Sequence, residues 1–218
     1  MREQQRQSKW LIAVILLAAV VVTGIIISGN KGKRRAVAGI KDPVQTETTG
    51  QRELYIAGYD LTVKYLYEYD ISALVVSTHN YRGSDVGDKL APKDLALAWG
   101  PVAEYNDVID FHWKQSGRWF YWKADSYEVL DPVGGVSGVS LHSANNHLIG
   151  ADESVKQKIK KIKTGDYIRL TGYLVNIDGS KADGHTFYWH SSTSRTDTGG
   201  GSCELIYVTG VEWLSSEE

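Results

Sequence analysis

Two polar segments hold the side chains best suited to chemistry or ligand binding. Residues 142–147 contain two histidines and two asparagines, and residues 191–204 place twelve small or polar residues before the only cysteine. A thiol, a histidine and an acid are the minimum set for thiolate catalysis, because the imidazole lowers the thiol pKa and the acid orients the ring. If the protein is an enzyme, the candidate catalytic residues are therefore His142, His147 and Cys203.

The same segments also suit a binding site. Serine, arginine and glycine are able to bind a carboxylate, a phosphate or a sugar, and polar loops attached to rigid strands often carry function. The candidate binding residues are Asn145, Ser191, Ser192, Ser194, Arg195, Asp197 and Glu204. We favour binding over catalysis, because a lone cysteine that enters a strand is more often packed than reactive. Whether the protein is an enzyme stays open at this point.

The spacing of these residues disfavours a metal site. His142 and His147 are five residues apart, which separates them by about 140° on a helix and places them on opposite faces of a strand. A zinc site would need both histidines from a loop, with Asp197 or Glu204 as a third ligand, and paired cysteines are absent from the sequence. The triplet at residues 197–199 also spells the aspartic-protease motif, but no hydrophobic strand precedes it. We therefore predict no metal and no cofactor.

An uncharged apolar run near the N-terminus predicts a membrane anchor. A helix over residues 10–28 is about 28 Å long, close to the ~30 Å thickness of a bilayer core. The run exceeds the ~7 to 15 residues of a cleaved signal peptide, so we predict a retained transmembrane helix behind an N-terminal tail, residues 1–9. Basic residues on both sides leave the orientation open by the positive-inside rule. A domain rich in Tyr, Trp and Gly behind such an anchor favours export to the outer side of the cytoplasmic membrane.

The remaining chain divides into a linker and an acidic domain. Residues 29–52 show no apolar periodicity and are predicted as a linker, and residues 53–218 as one globular domain. That domain holds 15 Lys and Arg against 23 Asp and Glu, a net charge of about −8, which argues against nucleic-acid binding. Basic residues next to the anchor suit anionic lipid headgroups. The expected partners are thus the bilayer and an envelope protein or a small anionic or sugar ligand.

Apolar patterning predicts a β-rich α+β domain, built as a twisted antiparallel sheet or small barrel with one or two helices. Residues 61–68 and 71–78 are predicted to form an antiparallel pair of strands, and residues 92–101 a short helix that ends at Gly-Pro. A hairpin with aromatic side chains buried on both faces is predicted over residues 108–122. The other predicted elements are a helix at 152–163 and strands at 167–177, 187–190 and 204–213.

Four sequence blocks together resemble a widespread family of uncharacterised bacterial proteins with an N-terminal hydrophobic segment. The blocks are residues 92–101 (PKDLALAWGP), 115–119 (QSGRW), 142–149 (HSANNHLI) and 191–204 (SSTSRTDTGGGSCE). The sequence departs from the family pattern at Asn146, Gly150 and Ser202, where methionine, proline and alanine are expected. The resemblance implies a bacterial origin and an anchored or exported protein, and it implies no particular activity.

A second, looser resemblance gives the alternative function. A membrane-anchored, β-rich domain with Cys, His and Arg is similar to sortase-like transpeptidases, which implies a Cys/His-dependent hydrolase or transpeptidase of the cell envelope. Sortases carry an arginine beyond the catalytic cysteine, whereas no Lys or Arg follows Cys203. The first interpretation, a single-pass envelope protein with a ligand- or partner-binding domain, is therefore the main prediction.

Overall fold

Strands and short helices alternate along residues 34–194 and 203–215, the parts of the chain that the computed structural model describes. The strands there are β1 (Val44–Glu47), β2 (Gln51–Ile56), β3 (Tyr59–Asn80), β4 (Lys93–Ala98), β5 (Lys114–Ser116), β6 (Trp119–Tyr121), β7 (Ser143–Gly150), β8 (Tyr167–Ser180), β9 (Thr186–His190) and β10 (Glu204–Trp213). The helices are α1 (Val86–Leu90), α2 (Gly100–Glu104), α3 (Gly135–Leu141) and α4 (Glu153–Lys161), with a 3₁₀ helix at Glu128–Val133. The predicted β-rich α+β class is confirmed.

Five of these strands pair in a closed ring. β3 pairs with β4 and β4 with β7, both antiparallel. β7 runs parallel to β10, β10 pairs antiparallel with β8, and β8 returns antiparallel to β3. This order, with one parallel pair and α4 between β7 and β8, is the strand order of the five-stranded OB barrel. The sequence predicted a twisted antiparallel sheet or a small barrel; the sheet is mixed, and the parallel β7–β10 pair corrects the antiparallel part of that prediction.

β3 is a single strand of 22 residues. The sequence predicted two strands here that pair with each other, and this prediction is wrong because both halves pair with β8. The pairing skips Leu66 between Tyr65 and Tyr67, which makes Leu66 the extra residue of a β-bulge. The bend allows the strand to pair with β1 and β2 along one half and with β4 near its end.

Residues 93–98 form a strand, where the sequence predicted a helix over 92–101. Ala and Leu favour helices, but every residue of β4 is buried between β3 and β7, and this burial outweighs a weak intrinsic preference. Pro101 does not end a helix; it opens α2, where its missing N–H has no helical partner to lose. Trp99 is buried, as predicted, and its indole N–H donates to Asp42 Oδ1 at 3.0 Å.

The predicted hairpin is present but is shorter than expected. β5 and β6 have three residues each, and residues 108–113, predicted as a strand, form turns and irregular chain. Gly117 and Arg118 have φ of 59° and 72°, as a two-residue type I′ turn requires. Trp119 and Tyr121 are 38% and 52% exposed, so the predicted two-sided burial of the aromatic side chains is wrong for one face.

The helix predicted at residues 152–163 is confirmed as α4. Asp152 is its N-cap and accepts from the backbone N–H of Val155 at 2.9 Å, while Val155 and Ile159 pack into the core. The strand predicted at 167–177 is confirmed as β8. It continues to Ser180, past the Asp-Gly pair at which the sequence predicted its end, because its pairing with β3 and β9 extends that far.

The compact unit begins at Arg35, well before residue 53 where the sequence placed the start of the domain. Val37 and Ile40 are buried in the main core, and β1 and β2 pair with β3. The predicted linker at 29–52 is therefore domain from residue 35 onward, because isolated apolar residues bury without showing a period. No helix in the described ranges is long and apolar enough to cross a membrane. The predicted tail and transmembrane helix, residues 1–28, lie outside those ranges.

Candidate functional site

The outer face of β4 and β7 carries polar side chains from the first predicted segment. Strand residues alternate between faces, and Leu95 and Leu148 belong to the core cluster inside the barrel. Asp94 and His147 are directly paired between β4 and β7 and lie on the opposite, outer face. Asn145 shares this face, two residues before His147. OB barrels commonly bind ligands on this face, but here the β5–β6 hairpin covers it.

Arg118, in the hairpin turn, is the centre of a charge network on this face. Its Nη1 donates to Asp94 Oδ1 at 2.9 Å and to the carbonyl of Ala91 at 2.7 Å, and its Nη2 donates to Asp88 Oδ1 at 2.5 Å. The guanidinium carbon lies 3.5 Å from the centroid of the Tyr81 ring. The Asp94 side chain is fully buried and that of Arg118 is 21% exposed. The guanidinium therefore supplies the positive charge that a buried carboxylate requires.

His147 and Tyr81 border this ion pair. The Nδ1 atom of His147 lies 2.9 Å from Asp94 Oδ1, close enough for an electrostatic contact but not aligned as a hydrogen bond. The His147 ring packs against Trp189, with centroids 4.7 Å apart, and is buried. Burial and the negative charge of Asp94 raise the pKa of Tyr81 to about 12. The Tyr81 hydroxyl, neutral at ordinary pH, accepts the backbone N–H of Arg118 at 2.9 Å.

Asn145 and Cys203 mark the point where the two predicted segments meet. Asn145 Oδ1 accepts from Gln115 Nε2 at 2.6 Å, and its Nδ2 donates to the carbonyl of Arg118 at 3.0 Å. The Sγ atom of Cys203 lies 3.7 Å from Asn145 Nδ2 and 3.9 Å from the same carbonyl oxygen. Glu204, the next residue, is buried in β10. These side chains lie in the packed boundary between hairpin and barrel.

The serines of the second segment bind the backbone around them. Ser191 Oγ accepts the N–H of Leu205 at 3.0 Å, and the N–H of Ser192 donates to the carbonyl of Cys203 at 2.9 Å. Ser192 Oγ accepts the N–H of Ser194 at 3.1 Å, as in a serine turn. These three serines therefore fix the path of the chain beside β10.

His142 lies apart from His147. It caps the C-terminal end of α3, where its Nε2 is 4.0 Å from Asp42 Oδ1. β7 begins at Ser143 and rises about 3.3 Å per residue, so about 13 Å of strand separates His147 from the residue that follows His142, and the two histidines are too far apart to share a metal ion. Within residues 34–194 and 203–215, no group of three His, Cys, Asp or Glu is arranged to hold a metal. Arg195 and Asp197 lie outside those residues, and their place in the site stays a prediction.

The buried side chains Asp94 and Asn145 have a structural role, because their contacts with Gln115 and Arg118 connect the β5–β6 hairpin to the barrel. Thiolate catalysis needs Cys203 within hydrogen-bond reach of a histidine in an open cleft, and His147 is packed against Asp94 and Trp189. Thiolate catalysis by Cys203 and a histidine stays a prediction. Neither Arg118 nor its partner Asp94 is among the predicted site residues. The signal that points to this pair is one acid inside an apolar run and one arginine at a hairpin turn.

A cavity of about 540 Å³ opens next to the network, between α4 and the segment that joins β3 to β4. Its size is within the range of small-molecule sites, roughly 300 to 1,000 Å³. Five basic residues line it: Arg82, Lys89, Lys93, Lys156 and Lys160. Within the described parts of the chain, no Asp or Glu lines it. Tyr81, whose ring contacts the guanidinium of Arg118, is also part of the lining.

Lys93 differs from the other four basic residues because it is buried. Its ammonium group donates to the carbonyl of Ile162 at 2.5 Å and approaches that of Lys160 at 3.4 Å. These carbonyls lie at the C-terminal end of α4, where helical partners are missing. Burial lowers the pKa of Lys93, and the two carbonyl oxygens oppose this effect because they accept hydrogen bonds from the charged ammonium group. The other four basic side chains are exposed at the rim, and the rest of the lining includes the apolar residues Leu90, Pro92, Leu148 and Ile159.

No protein-family model, no curated protein and no solved structure matches this chain. The structure thus offers a closed polar network that holds the hairpin to the barrel and, beside it, an open cationic cavity.

Proposed function

We propose that the protein is a single-pass, membrane-anchored bacterial envelope protein whose barrel domain binds a small anionic ligand. The carrying observation is the cavity beside α4, which has five basic residues and, in the described chain, no acidic residue in its lining. Residues 53–218 carry a net charge of about −8, so the lining of this cavity is positively charged although the domain as a whole is negatively charged.

Electrostatics favour an anion over a neutral sugar in this cavity. Lys156 and Lys160 are four residues apart on α4, so their ammonium groups share one side of the helix and repel each other. Arg82 and Lys89 add two further positive charges from the segment between β3 and β4. A bound anion relieves this repulsion, and the relief is weaker in high salt because surface charges are screened beyond about 10 Å at 0.1 M ionic strength.

The binding test uses the full chain in non-ionic detergent and isothermal titration with phosphate, sulfate, citrate and a neutral disaccharide. We expect an anion to bind and the disaccharide not to. Lys156→Ala should weaken that binding about fivefold or more, because the side chain lines the cavity. Lys158→Ala is the matched control, since it removes the same charge from the same helix but from a side chain that donates to the carbonyl of Val211. Equal loss in both variants would contradict the proposal.

The anchor requires a separate test. The proposal is supported by the uncharged run at residues 10–28 and by the basic residues that flank it. We expect the full chain to stay in the membrane fraction after an alkaline carbonate wash, and a reporter enzyme that is active only outside the cytoplasm to be active when fused after residue 218. Activity of a cytoplasm-only reporter at the same position would reverse the orientation.

A further inference from the structure

We infer that the anion is an amphiphilic phosphate, a phosphate monoester whose organic part is apolar. This inference rests on the proposed anion binding and adds the chemical class of the ligand. Two features of the cavity carry it. One is the number of exposed positive charges at the rim, and the other is the apolar surface that lies among them.

The charge at the rim exceeds what a single carboxylate balances. Arg82, Lys89, Lys156 and Lys160 are exposed there, whereas the ammonium group of Lys93 already faces two carbonyl oxygens. A phosphate monoester carries about −1.5 to −2 charges near pH 7 and three strong acceptor oxygens. A guanidinium binds two phosphate oxygens at once, and lysines add compact charges around the remaining oxygen. A phosphate group therefore matches this rim better than a carboxylate does.

The apolar part of the lining selects against a bare phosphate ion. Pro92 and Tyr81 are partly exposed in the lining and present apolar surface to the cavity. Leu90, Leu148 and Ile159 are buried and add little to that surface. Inorganic phosphate keeps its hydration on every side and leaves Pro92 and the ring of Tyr81 in contact with water. An alkyl chain attached to the phosphate covers them, and each buried methylene strengthens binding about fourfold. Two or more such groups make a difference of roughly tenfold or greater.

This chemistry has two possible sources, the headgroup region of an anionic lipid and a soluble organic phosphate. Both present a phosphate next to an apolar chain, so the cavity itself makes no choice between them. A soluble probe tests the shared chemistry, and competition by a lipid identifies the source.

The experiment is a titration of the full chain in non-ionic detergent with hexyl phosphate, inorganic phosphate and hexanoate. We expect hexyl phosphate to bind at least tenfold more tightly than either of the others. Lys156→Ala should weaken hexyl phosphate at least fivefold, and Lys158→Ala, whose ammonium contacts the Val211 carbonyl, should change it less than twofold. Thermal unfolding of both variants within about 2 °C of the parent would show that folding is intact.

Competition then assigns the source. If micelles doped with phosphatidic acid displace hexyl phosphate and micelles doped with phosphatidylcholine do not, the lipid headgroup is the source. If neither displaces it, the soluble phosphate is. Hexyl phosphate that binds no more tightly than inorganic phosphate or hexanoate overturns the inference. If the anions still bind in that case and Lys156→Ala weakens their binding, the proposed function stands. If no anion binds at all, both the proposed function and this inference are overturned.

Discussion

Replacing Arg118 by methionine should destabilise the domain more than the loss of an ordinary surface charge. Methionine keeps much of the apolar stem but removes the guanidinium that donates to Asp94, Asp88 and the Ala91 carbonyl. Asp94 is fully buried, and a buried carboxylate that loses its cation costs about 3 to 5 kcal/mol. Roughly 2 to 4 °C of Tm per kcal/mol applies to a domain of this size, so we expect Tm to fall by about 6 to 20 °C.

A double-mutant cycle separates the ion pair from general packing. Asp94→Asn alone should also destabilise the domain, because the guanidinium of Arg118 then lacks its buried partner. In the double variant the buried Asp94 charge and its guanidinium are both gone, and Asp88 keeps the N–H of Gly83 as a donor. The cost of the double variant should therefore fall short of the summed single costs by about 1 to 3 kcal/mol. Arg52→Met, an exposed position on β2, is the control and should stay within about 0.5 kcal/mol of the parent.

The measurement is equilibrium unfolding in urea, followed by tryptophan fluorescence, with the denaturant slope compared between variants. A constant slope assigns the change to stability and not to the compactness of the unfolded state. A cost below about 1 kcal/mol for Arg118→Met, or single costs that simply add, would refute the idea that this pair holds the hairpin on the barrel.

Three further predictions concern other parts of the domain. The hydrogen bonds of Arg169 lower the pKa of Asp70. This pair therefore contributes stability above about pH 4, and that stability is lost as the pH falls through the folded-state pKa. Asp70→Asn should flatten acid unfolding curves in that window, and an unchanged pH dependence would contradict this prediction. Gly138→Ala should lower the free energy of unfolding in urea by about 1 to 3 kcal/mol, because an added Cβ would meet a backbone carbonyl oxygen of the preceding 3₁₀ helix at 1.8 Å. An unchanged free energy of unfolding would mean that α3 shifts freely. Ultraviolet titration of the parent minus Tyr81→Phe should show a phenol with a midpoint near pH 12, and a midpoint near 10 would show that the ring is neither buried nor close to Asp94.

Parts of the fold with a clear local pattern could be predicted from the sequence. The helix α4 carries its cap, its apolar stripe and its terminal charges in one short segment, so nothing distant is needed to recognise it. The strand β8 shows a long apolar alternation, although its end depends on β3 and β9 as partners. By contrast, β4 contains residues that favour a helix and becomes a strand only because two neighbouring strands bury both of its faces.

The candidate site was harder to predict for the same physical reason. The sequence shows that residues 142–147 and 191–204 are polar, but not that Asn145 reaches Cys203 while His142 caps a separate helix. The cationic cavity joins a loop after β3 to a helix about 70 residues later, and no local spacing connects them. Distant residues become neighbours through the barrel, so the contacts follow from topology and not from local pattern.

The closed ring also constrains the order in which the chain is able to fold. β3 pairs with β8 at a separation of roughly 100 residues, and β10 lies between β7 and β8 and pairs with both. Pairings this distant are slow to form, because a long loop loses its freedom before any contact compensates. Until β10 leaves the ribosome or the export channel, β7 and β8 present open edges to other chains. A nascent chain that stalls before residue 204 is thus the form in which this protein is most exposed to aggregation.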